Sequence, residues 1–340
     1  MKPETTRTSL AFLEQRKDLN EVYRNIQEDL ARVEENLQIF SDSPNRLISE
    51  ISGYLFQKKG KRIRPALLLL CSKLFDYQGK EHISMAALVE FIHTASLIHD
   101  DIIDNASLRR GKESIHTRWG PNISVLLGDF LYIKTIGLSL QSQYPQIIRI
   151  LTDISTKMIE GELTEYHVSG NLELGEEDYF DIIHKKTAAL FSASCQIGGI
   201  LGQASPEEES SLIAYGSDLG MTFQIIDDLL DFSGDEKNLG KPILSDLSEG
   251  RITLPLIYTL TNDGNHNRSR IIQLLREKKF PEESKREILE IITSNGALDY
   301  TYKIAEEFSL RSREDISRFP ESVHREALSL LSEFVLTREK

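Results

Sequence analysis

The sequence predicts an all-α protein, and three features of the chain lead to that prediction. Apolar residues recur with the period of an amphipathic helix along nearly the whole chain. Alternating apolar and polar positions, which are typical of strands, are scarce, and no strand–helix–strand succession indicates a parallel sheet. Glycine (20) and proline (10) are sparse among 340 residues, which disfavours a β-sandwich with its many turns. We therefore expect a single domain over residues 1–340, built from roughly a dozen helices.

The predicted helices follow one another between turn signals. Apolar positions Leu10, Leu13 and Leu19, continued by others as far as Leu37, predict an N-terminal packing helix within residues 1–40. The uncharged residues 187–206 are interpreted as a tightly packed core helix. Turn signals separate the remaining helices at residues 41–44, 77–80, 111–121, 144–145, 169–176, 205–206, 234–242, 262–267, 295–296 and 319–320.

Composition and charge exclude several classes of protein. A formal net charge of −13 argues against a general nucleic-acid binder, which carries a basic surface. The longest tight apolar run, residues 65–71, is far shorter than a membrane-spanning helix requires, so no integral membrane segment is expected. The two cysteines, Cys71 and Cys195, exclude a disulfide scaffold and favour a reducing compartment. The N-terminus lacks the apolar core of a secretion signal, so a cytoplasmic location is expected.

Two aspartate clusters share the pattern D-D-x-x-D within otherwise apolar helices: Asp100, Asp101 and Asp104, then Asp227, Asp228 and Asp231. In each cluster the first and last aspartates are four residues apart and share a helix face. Like charges at this spacing, beside apolar neighbours, destabilise a helix, and a hard divalent cation such as Mg²⁺ removes that penalty. Two such clusters facing each other would hold metal ions that bind a polyanionic group. A purely acidic helix surface is the alternative, which the apolar flanks of both clusters disfavour.

Basic residues lie at predicted helix ends near the aspartate clusters. Arginine forms forked hydrogen bonds with phosphate oxygens, whereas lysine acts as a point charge. Each of these residues taken singly is more typical of a solvated surface than of a binding site. Taken with the aspartates, they predict anchors for two phosphorylated groups; the set comprises Lys61, Arg64, Arg109, Arg110, Lys185, Lys186, Lys241 and Arg251.

The motifs together resemble a known family. GKRIRP, HTASLIHDDIID, RRG, KKT, FQIIDDLLD and GK…DLSEGRITLPLI stand in the order found in trans-isoprenyl diphosphate synthases, the polyprenyl synthetases. The resemblance covers a motif-bearing core at residues 45–310. It implies a helical bundle around a deep central cavity, usually a homodimer, with the aspartate helices facing each other across the cavity mouth. It also implies a Mg²⁺-dependent 1′–4 condensation of isopentenyl diphosphate with an allylic diphosphate (dimethylallyl, geranyl or farnesyl).

The resemblance assigns roles to individual positions. Asp100, Asp104 and Asp227 are the expected catalytic Mg²⁺ ligands, and Asp231 is expected to support the metal site. The positions for isopentenyl diphosphate are Lys61, Arg64, His93 and Arg110. Those for the allylic diphosphate are Arg109, Lys186, Thr187, Gln224 and Lys241. The chain departs from the family at Arg251, where relatives usually carry lysine, and at Leu244, where many carry glycine. His99 is interpreted as structural.

Product length is predicted from the helix that ends in the first aspartate cluster. The residues one turn before Asp100 are Ala95 and Ser96, both small, whereas short-chain relatives have a bulky aromatic residue near these positions. An open path predicts a polyprenyl product beyond C20, in the hexa- to octaprenyl range. The alternative is a short-chain farnesyl or geranylgeranyl diphosphate synthase, with a deeper residue such as Ile92 stopping growth.

Other activities are less consistent with the motifs. A class I terpene cyclase has a second metal motif of mixed composition and does not need the isopentenyl diphosphate anchors. A head-to-head squalene-type synthase does not suit the GKRIRP element. A non-catalytic subunit typically loses one aspartate cluster, and this chain retains both. A catalytic subunit that requires a smaller partner stays open.

Overall fold

The computed structural model describes residues 18–57, 60–109, 111–233, 243–262, 265–275 and 281–338. The prediction of an all-α fold is confirmed, because the described residues form helices joined by turns, apart from one two-residue antiparallel ribbon. None of the helices within these ranges is long and apolar enough to cross a membrane.

The N-terminal half contains eight helices and the ribbon within the described ranges. They are α1 (Leu19–Tyr23), α2 (Gln27–Ser41), α3 (Arg46–Phe56), α4 (Ile63–Lys73), α5 (Glu81–Ile103), β1 (Leu108–Arg109), β2 (Lys112–Glu113), α6 (Ile115–Trp119), α7 (Pro121–Ser139) and α8 (Pro145–His167). The helix predicted within residues 1–40 is therefore interrupted, because a turn at residues 24–26 separates α1 from α2. Leu10 and Leu13 lie outside the described residues.

The C-terminal half continues the helical pattern. Its elements are α9 (Glu176–Ile183), a π-helical turn (His184–Ala188), α10 (Ala189–Leu201), α11 (Pro206–Ser233), α12 (Ser245–Ser248), α13 (Leu254–Asn262), α14 (Asn265–Leu275), α15 (Glu282–Ser294), α16 (Ala297–Ser317) and α17 (Val323–Thr337). The uncharged segment at 187–206 is largely α10, as predicted, but it begins in the π-helical turn. Short helices such as α12 raise the number of helices above the roughly dozen that periodicity predicts.

Helix α5 is buried around most of its circumference. Most of its residues from Ile83 to Ile98 are buried and apolar, and α5 packs against α2, α4, α7 and α10. A helix that is buried on most of its faces belongs in the interior of a large domain. The polar residues Asp100 and Asp104 come only at its C-terminal end, which places them at the edge of this core.

Helix α11 connects two apolar clusters. Leu212 and Tyr215 belong to a cluster formed mainly by the N-terminal helices, whereas Ile225 and Ile226 belong to one formed mainly by α13–α16. Gly220 allows a close approach of α11 to the π-helical turn, since a Cβ atom there would lie 2.5 Å from the Ala188 Cα. The second aspartate cluster follows within two turns, and it therefore lies beside that turn.

Candidate active site

Two adjacent cavities lie between the ends of α5 and α11. The polar cavity, about 570 Å³, is lined by carboxylates, basic side chains and the loop after α12. The apolar cavity, about 410 Å³, has walls that include Leu97, Tyr132, Met158 and Phe223. The cavities share their boundary residues, which all come from the sequence motifs: Asp100, Arg109, Lys186, Thr187, Gln224 and Asp227 line both. We call this boundary the junction.

The first aspartate cluster divides between the cavity and the protein interior. Asp100 and Asp104 both line the polar cavity, in agreement with the predicted shared face. Asp101 is buried, and its Oδ1 accepts a hydrogen bond of 2.6 Å from Arg109 Nε. Asp104 is the C-cap of α5, where the helix dipole does not favour negative charge. Its carboxylate is therefore stabilised by other groups.

The Asp100 carboxyl lies in an environment that disfavours its ionised form. Burial raises its pKa to about 7; the Lys186 ammonium opposes the rise, and the Glu162 and Asp104 carboxylates add to it. Desolvation disfavours the charged form of a carboxyl group, and neighbouring negative charge has the same effect. A cation bound at this carboxylate would remove that cost.

Arg251 neutralises Asp104 from the loop that follows α12. Its guanidinium lies 3.1 Å from Asp104 Oδ1 and 2.8 Å from Asp246 Oδ1, and it also contacts Glu249. Burial by itself lowers the pKa of Arg251, but the Asp246, Asp104 and Glu249 carboxylates raise it overall. The arginine that replaces the family's usual lysine thus holds three carboxylates at once. Its forked guanidinium makes that possible.

The loop that carries Arg251 is anchored by Asp231. The Asp231 carboxylate accepts hydrogen bonds from the Ser245 hydroxyl (2.7 Å) and the Asp246 amide (3.1 Å). It is fully buried and lines neither cavity. In this structure the carboxylate holds the loop, and its expected support of the metal site stays a prediction. Leu244, the N-cap of α12, adopts a left-handed conformation with φ +58°, which the family's glycine takes without strain.

The second cluster presents Asp227 to both cavities. Its side chain is 41% exposed, and Oδ1 lies 2.6 Å from the guanidinium of Arg338 near the C-terminus. The same guanidinium donates to the Phe223 carbonyl at 2.6 Å and lies 3.6 Å from the centre of the Phe223 ring. Arg338 itself is only 8% exposed. The residues just after α17 therefore reach the candidate active site.

Asp228 is buried and is held by neutral donors. The Tyr179 hydroxyl donates to Asp228 Oδ2 at 2.7 Å, and Gln224 Nε2 donates to Oδ1 at 2.8 Å. The Thr187 hydroxyl then donates to Gln224 Oε1 at 2.7 Å. Burial raises the pKa of Asp228 to about 8, Asp246 adds to the rise, and the Tyr179 and Gln224 hydrogen bonds oppose it.

Lys186 reaches the junction from the π-helical turn. Its ammonium lies 2.7 Å from Glu162 and 2.5 Å from Glu165, both on α8. Burial by itself lowers the pKa of Lys186, but Glu165, Asp100 and Glu162 raise it overall. Gly161 allows α8 to approach, since a Cβ there would lie 2.9 Å from the Lys186 backbone nitrogen. Single π-helical turns within helices are frequent at functional sites.

The predicted isopentenyl diphosphate residues lie in different environments. Arg64 and His93 line the apolar cavity, and the Arg64 guanidinium lies 4.5 Å from the centre of the Phe191 ring. Lys61 is exposed and lines neither cavity. Arg110 lies outside the described residues, as does the allylic diphosphate candidate Lys241. The loop before α4 is fixed by Arg62, whose guanidinium lies 2.5 Å from each of two carboxylates, on Glu34 and Glu90.

The two chain-length candidates also differ in position. Ser96 lines the apolar cavity and donates to the His93 carbonyl at 2.9 Å. Ala95 is fully buried in the core and lines neither cavity, because it lies on the face of α5 that packs against other helices. His99, interpreted as structural, lines the apolar cavity as well. Tyr132, on α7, contributes an aromatic ring to that cavity.

Sequence reasoning did not identify several residues of the site. Glu162 and Glu165 pair with Lys186. The one sequence signal of this contact is Gly161 inside α8, which allows that helix to approach the Lys186 backbone. Tyr179 and Arg338 come from distant parts of the chain, and no spacing in the sequence relates them to the second cluster.

The comparisons with known proteins agree with this geometry. The polyprenyl synthetase family matches residues 45–292. The octaprenyl diphosphate synthase of Escherichia coli (strain K12) is 34% identical over 313 residues, 92% of this chain and 97% of the relative. The geranylgeranyl diphosphate synthase of Saccharolobus solfataricus is 35% identical over 311 residues, 88% of this chain and 93% of the relative.

A solved structure extends the similarity to the fold. The polyprenyl synthase of Caulobacter crescentus CB15, complexed with calcium and isoprenyl diphosphate, superposes with a TM-score of 0.91 at 32% identity, covering 96% of this chain and 99% of that one. The fold and site thus define a transferase of the prenyltransferase class. The chain belongs to the polyprenyl synthetase family, whose members depend on divalent metal ions.

The residues of the site fit a hard divalent cation in donor chemistry. Carboxylate oxygens of Asp100, Asp104 and Asp227 line one cavity, and these are the ligands that such cations prefer. Among the residues that the structure describes, no three His, Cys, Asp or Glu side chains are grouped so that they could hold a metal ion. Arg251 and Arg338 pair with two of these three aspartates, and a cation would have to replace those pairs.

Proposed function

We propose that this chain is a trans-polyprenyl diphosphate synthase that uses Mg²⁺ to condense isopentenyl diphosphate with an allylic diphosphate, giving a product longer than C20. The observation that carries the proposal is the junction, where a polar cavity rich in charged groups meets an apolar one. An allylic diphosphate has the same division, a polyanionic head on an apolar tail. The calcium and isoprenyl diphosphate of the Caulobacter crescentus relative support this assignment.

The reaction requires charge separation between the departing diphosphate and the allylic carbon. Mg²⁺, held by Asp100, Asp104 and Asp227, would supply positive charge that stabilises the departing diphosphate. On the protein side, Lys186 and Arg109 line the junction and place fixed positive charge beside the diphosphate. These cations are already oriented by carboxylates, so little reorganisation accompanies the reaction.

Isopentenyl diphosphate would bind on the side of the apolar cavity. Of the residues predicted to bind isopentenyl diphosphate and described in the structure, Arg64 and His93 line that cavity. Its double bond attacks the allylic carbon, a new carbon–carbon bond forms, and a proton leaves the product, with the released diphosphate as its acceptor. Phe223 and Tyr132 line the cavity and keep water from the allylic cation.

Product length depends on how the tail passes the apolar cavity. The small Ser96 in its wall supports a path beyond C20. We expect Ser96→Phe to shorten the product by filling that path. Ala95→Phe is expected to destabilise the fold instead, because Ala95 is packed in the core. Tyr132 in the same cavity favours the short-chain alternative, and a Tyr132→Ala variant whose product lengthens would identify it as the residue that stops growth.

A homodimer is proposed from the exposed apolar residues of α7 and α8. Leu126 and Ile133 on α7, and Leu140 at its C-cap, are each about two-thirds exposed and are spaced seven residues apart. Leu163 and Tyr166 add to the apolar surface of α8. Apolar stripes of this size on a helix are typical of an interface. Ile133→Glu should yield monomers in sedimentation experiments, whereas Ile39→Glu, equally exposed on α2, should not.

The activity is tested by incubating the purified chain with Mg²⁺, radiolabelled isopentenyl diphosphate and farnesyl diphosphate, and then sizing the dephosphorylated products. A ladder that ends beyond C20 is expected. Accumulation at C20 would retain the enzyme class and contradict the proposed length. The absence of incorporation by the chain alone would contradict a self-sufficient synthase and favour a catalytic subunit that needs a partner.

A further inference from the structure

A buried hydrogen-bond chain connects α9 to the junction. It runs from the Tyr179 hydroxyl to Asp228 and from the Gln224 amide to the same carboxylate, and Thr187 completes it. Tyr179 is 3% exposed and Asp228 4%, so neither group exchanges these partners for water. A buried polar network whose members are all satisfied fixes the orientation of its side chains.

The network determines which way the Gln224 amide points. Oδ1 of Asp228 accepts from the Gln224 amide nitrogen and Oδ2 accepts from the Tyr179 hydroxyl, so the nitrogen of the Gln224 amide faces Asp228. The amide oxygen then faces the opposite way, where the Thr187 hydroxyl donates to it at 2.7 Å. Thr187 and Gln224 both line the junction. The electronegative end of the amide is therefore directed to that side.

The hydrogen bond to Asp228 strengthens this effect. An acceptor bound to the amide nitrogen polarises the amide and increases the negative charge on its oxygen. A carbonyl oxygen can accept two hydrogen bonds, and Thr187 provides one of them. The oxygen retains capacity to stabilise positive charge at the junction, which is where the proposed function requires an allylic cation.

Tyr179 fixes the position of Asp228 relative to the other aspartates. Its hydroxyl donates to Oδ2 of Asp228, whereas the Gln224 amide nitrogen donates to Oδ1. Asp228 lines the polar cavity, but both of its oxygens are engaged within the protein, whereas Asp227, the preceding residue, is 41% exposed and lines both cavities. The two neighbouring carboxylates consequently have separate tasks.

We infer that Tyr179 and Asp228 are positioning residues, which hold the Gln224 amide oxygen toward the allylic cation, and that Asp228 is not a metal ligand. The inference rests on the proposed condensation. It adds a residue of α9 that none of the sequence motifs contains, and it gives the middle aspartate of the second cluster a task distinct from that of Asp227.

The test compares Tyr179→Phe with Tyr300→Phe. Tyr300 also donates to a carboxylate, that of Glu176 at 2.9 Å, and it lines neither cavity. Tyr179→Phe should lower kcat about tenfold, in line with the loss of an oriented charge stabiliser. KM for either diphosphate and the Kd of Mn²⁺ measured by calorimetry should stay within about twofold of the unaltered protein. Tyr300→Phe should change none of these quantities.

A double-mutant cycle separates positioning from a general structural effect. If Tyr179 acts through Gln224, Tyr179→Phe should cost little further activity in a Gln224→Ala protein. An equal loss in both backgrounds would overturn the inference, as would a weakened Mn²⁺ affinity in Asp228→Asn. An unaltered protein without condensing activity would contradict the proposed function and the inference together. An active protein that Tyr179→Phe leaves unaffected would overturn the inference alone.

Discussion

The two aspartate clusters have the same sequence pattern and different surroundings. In the first, each carboxylate has a cation nearby: Lys186 near Asp100, Arg109 on Asp101 and Arg251 on Asp104. In the second, Arg338 pairs with Asp227, Asp228 accepts from Tyr179 and Gln224, and Asp231 accepts from the Ser245 hydroxyl and the Asp246 amide. Identical patterns of residues therefore do not imply identical tasks.

The difference follows from where each cluster stands on its helix. Helix α5 ends at Ile103, directly within the first cluster, so Asp100 and Asp104 project beside a cavity. Helix α11 continues to Ser233, and the loop around α12 folds back onto Asp231. We expect two aspartates of the first cluster and one of the second to serve the metal.

The largest expected effect separates Asp227 from Asp231. Asp227→Asn removes a carboxylate that lines both cavities, and kcat should fall about a thousandfold or more if it holds the metal. Asp231→Asn should lower kcat much less, because Asp231 lines neither cavity. Steady-state kinetics at saturating Mg²⁺ measures both. Equal losses in the two variants would contradict the division within the second cluster.

The same pair should show the reverse order in stability. Asp231→Asn replaces one carboxylate oxygen with an NH2 group, which cannot accept a hydrogen bond. One of the two donors, the Ser245 hydroxyl or the Asp246 amide, therefore loses its acceptor. Loss of a buried acceptor should lower the free energy of unfolding by about 2 kcal/mol. Asp227 is partly exposed, so Asp227→Asn should lower the free energy of unfolding by less. Urea unfolding in EDTA provides the comparison, and a more stable Asp231→Asn protein would be inconsistent with its anchoring role.

The pH dependence of stability sharpens the contrast at Asp100. Its pKa of about 7 lies above the value of about 4 expected in the unfolded chain, so the metal-free protein loses stability as the pH rises from 4 through 7. Asp100→Asn carries no such charge and should be more stable than the unaltered protein at pH 8, by about 2 kcal/mol. The gain should vanish near pH 4. The exposed Asp153→Asn is the control, and a gain independent of pH would refute the explanation.

The smallest effect concerns the arginine beside Asp227. If a cation must displace Arg338, then Arg338→Gln should tighten Mn²⁺ binding in the absence of substrate by about fivefold. Arg325→Gln, on α17 with contacts to the Phe319 carbonyl and Glu321, should leave the affinity unchanged. Calorimetry measures the dissociation constants. Weaker binding in Arg338→Gln would mean that Arg338 orients Asp227 for the metal.

The fold and half of the site could be predicted from local patterns. Helical periodicity gave the class of fold, and the spacing within D-D-x-x-D placed Asp100 and Asp104 on one face. Tyr179 and Arg338 could not be found this way, since they reach Asp228 and Asp227 only after distant helices pack together. The sequence also does not distinguish Ala95, which lies in the core, from Ser96, which lines the apolar cavity, because helix α5 is buried around most of its circumference.

The central claim is that the two clusters contribute unequally to one metal site. Anomalous diffraction from crystals grown with Mn²⁺ and inorganic diphosphate tests it most directly. The account predicts manganese peaks within about 2.5 Å of carboxylate oxygens of Asp100, Asp104 and Asp227, with Tyr179 and Gln224 still bound to Asp228. A peak in direct contact with Asp228 or Asp231 would contradict it.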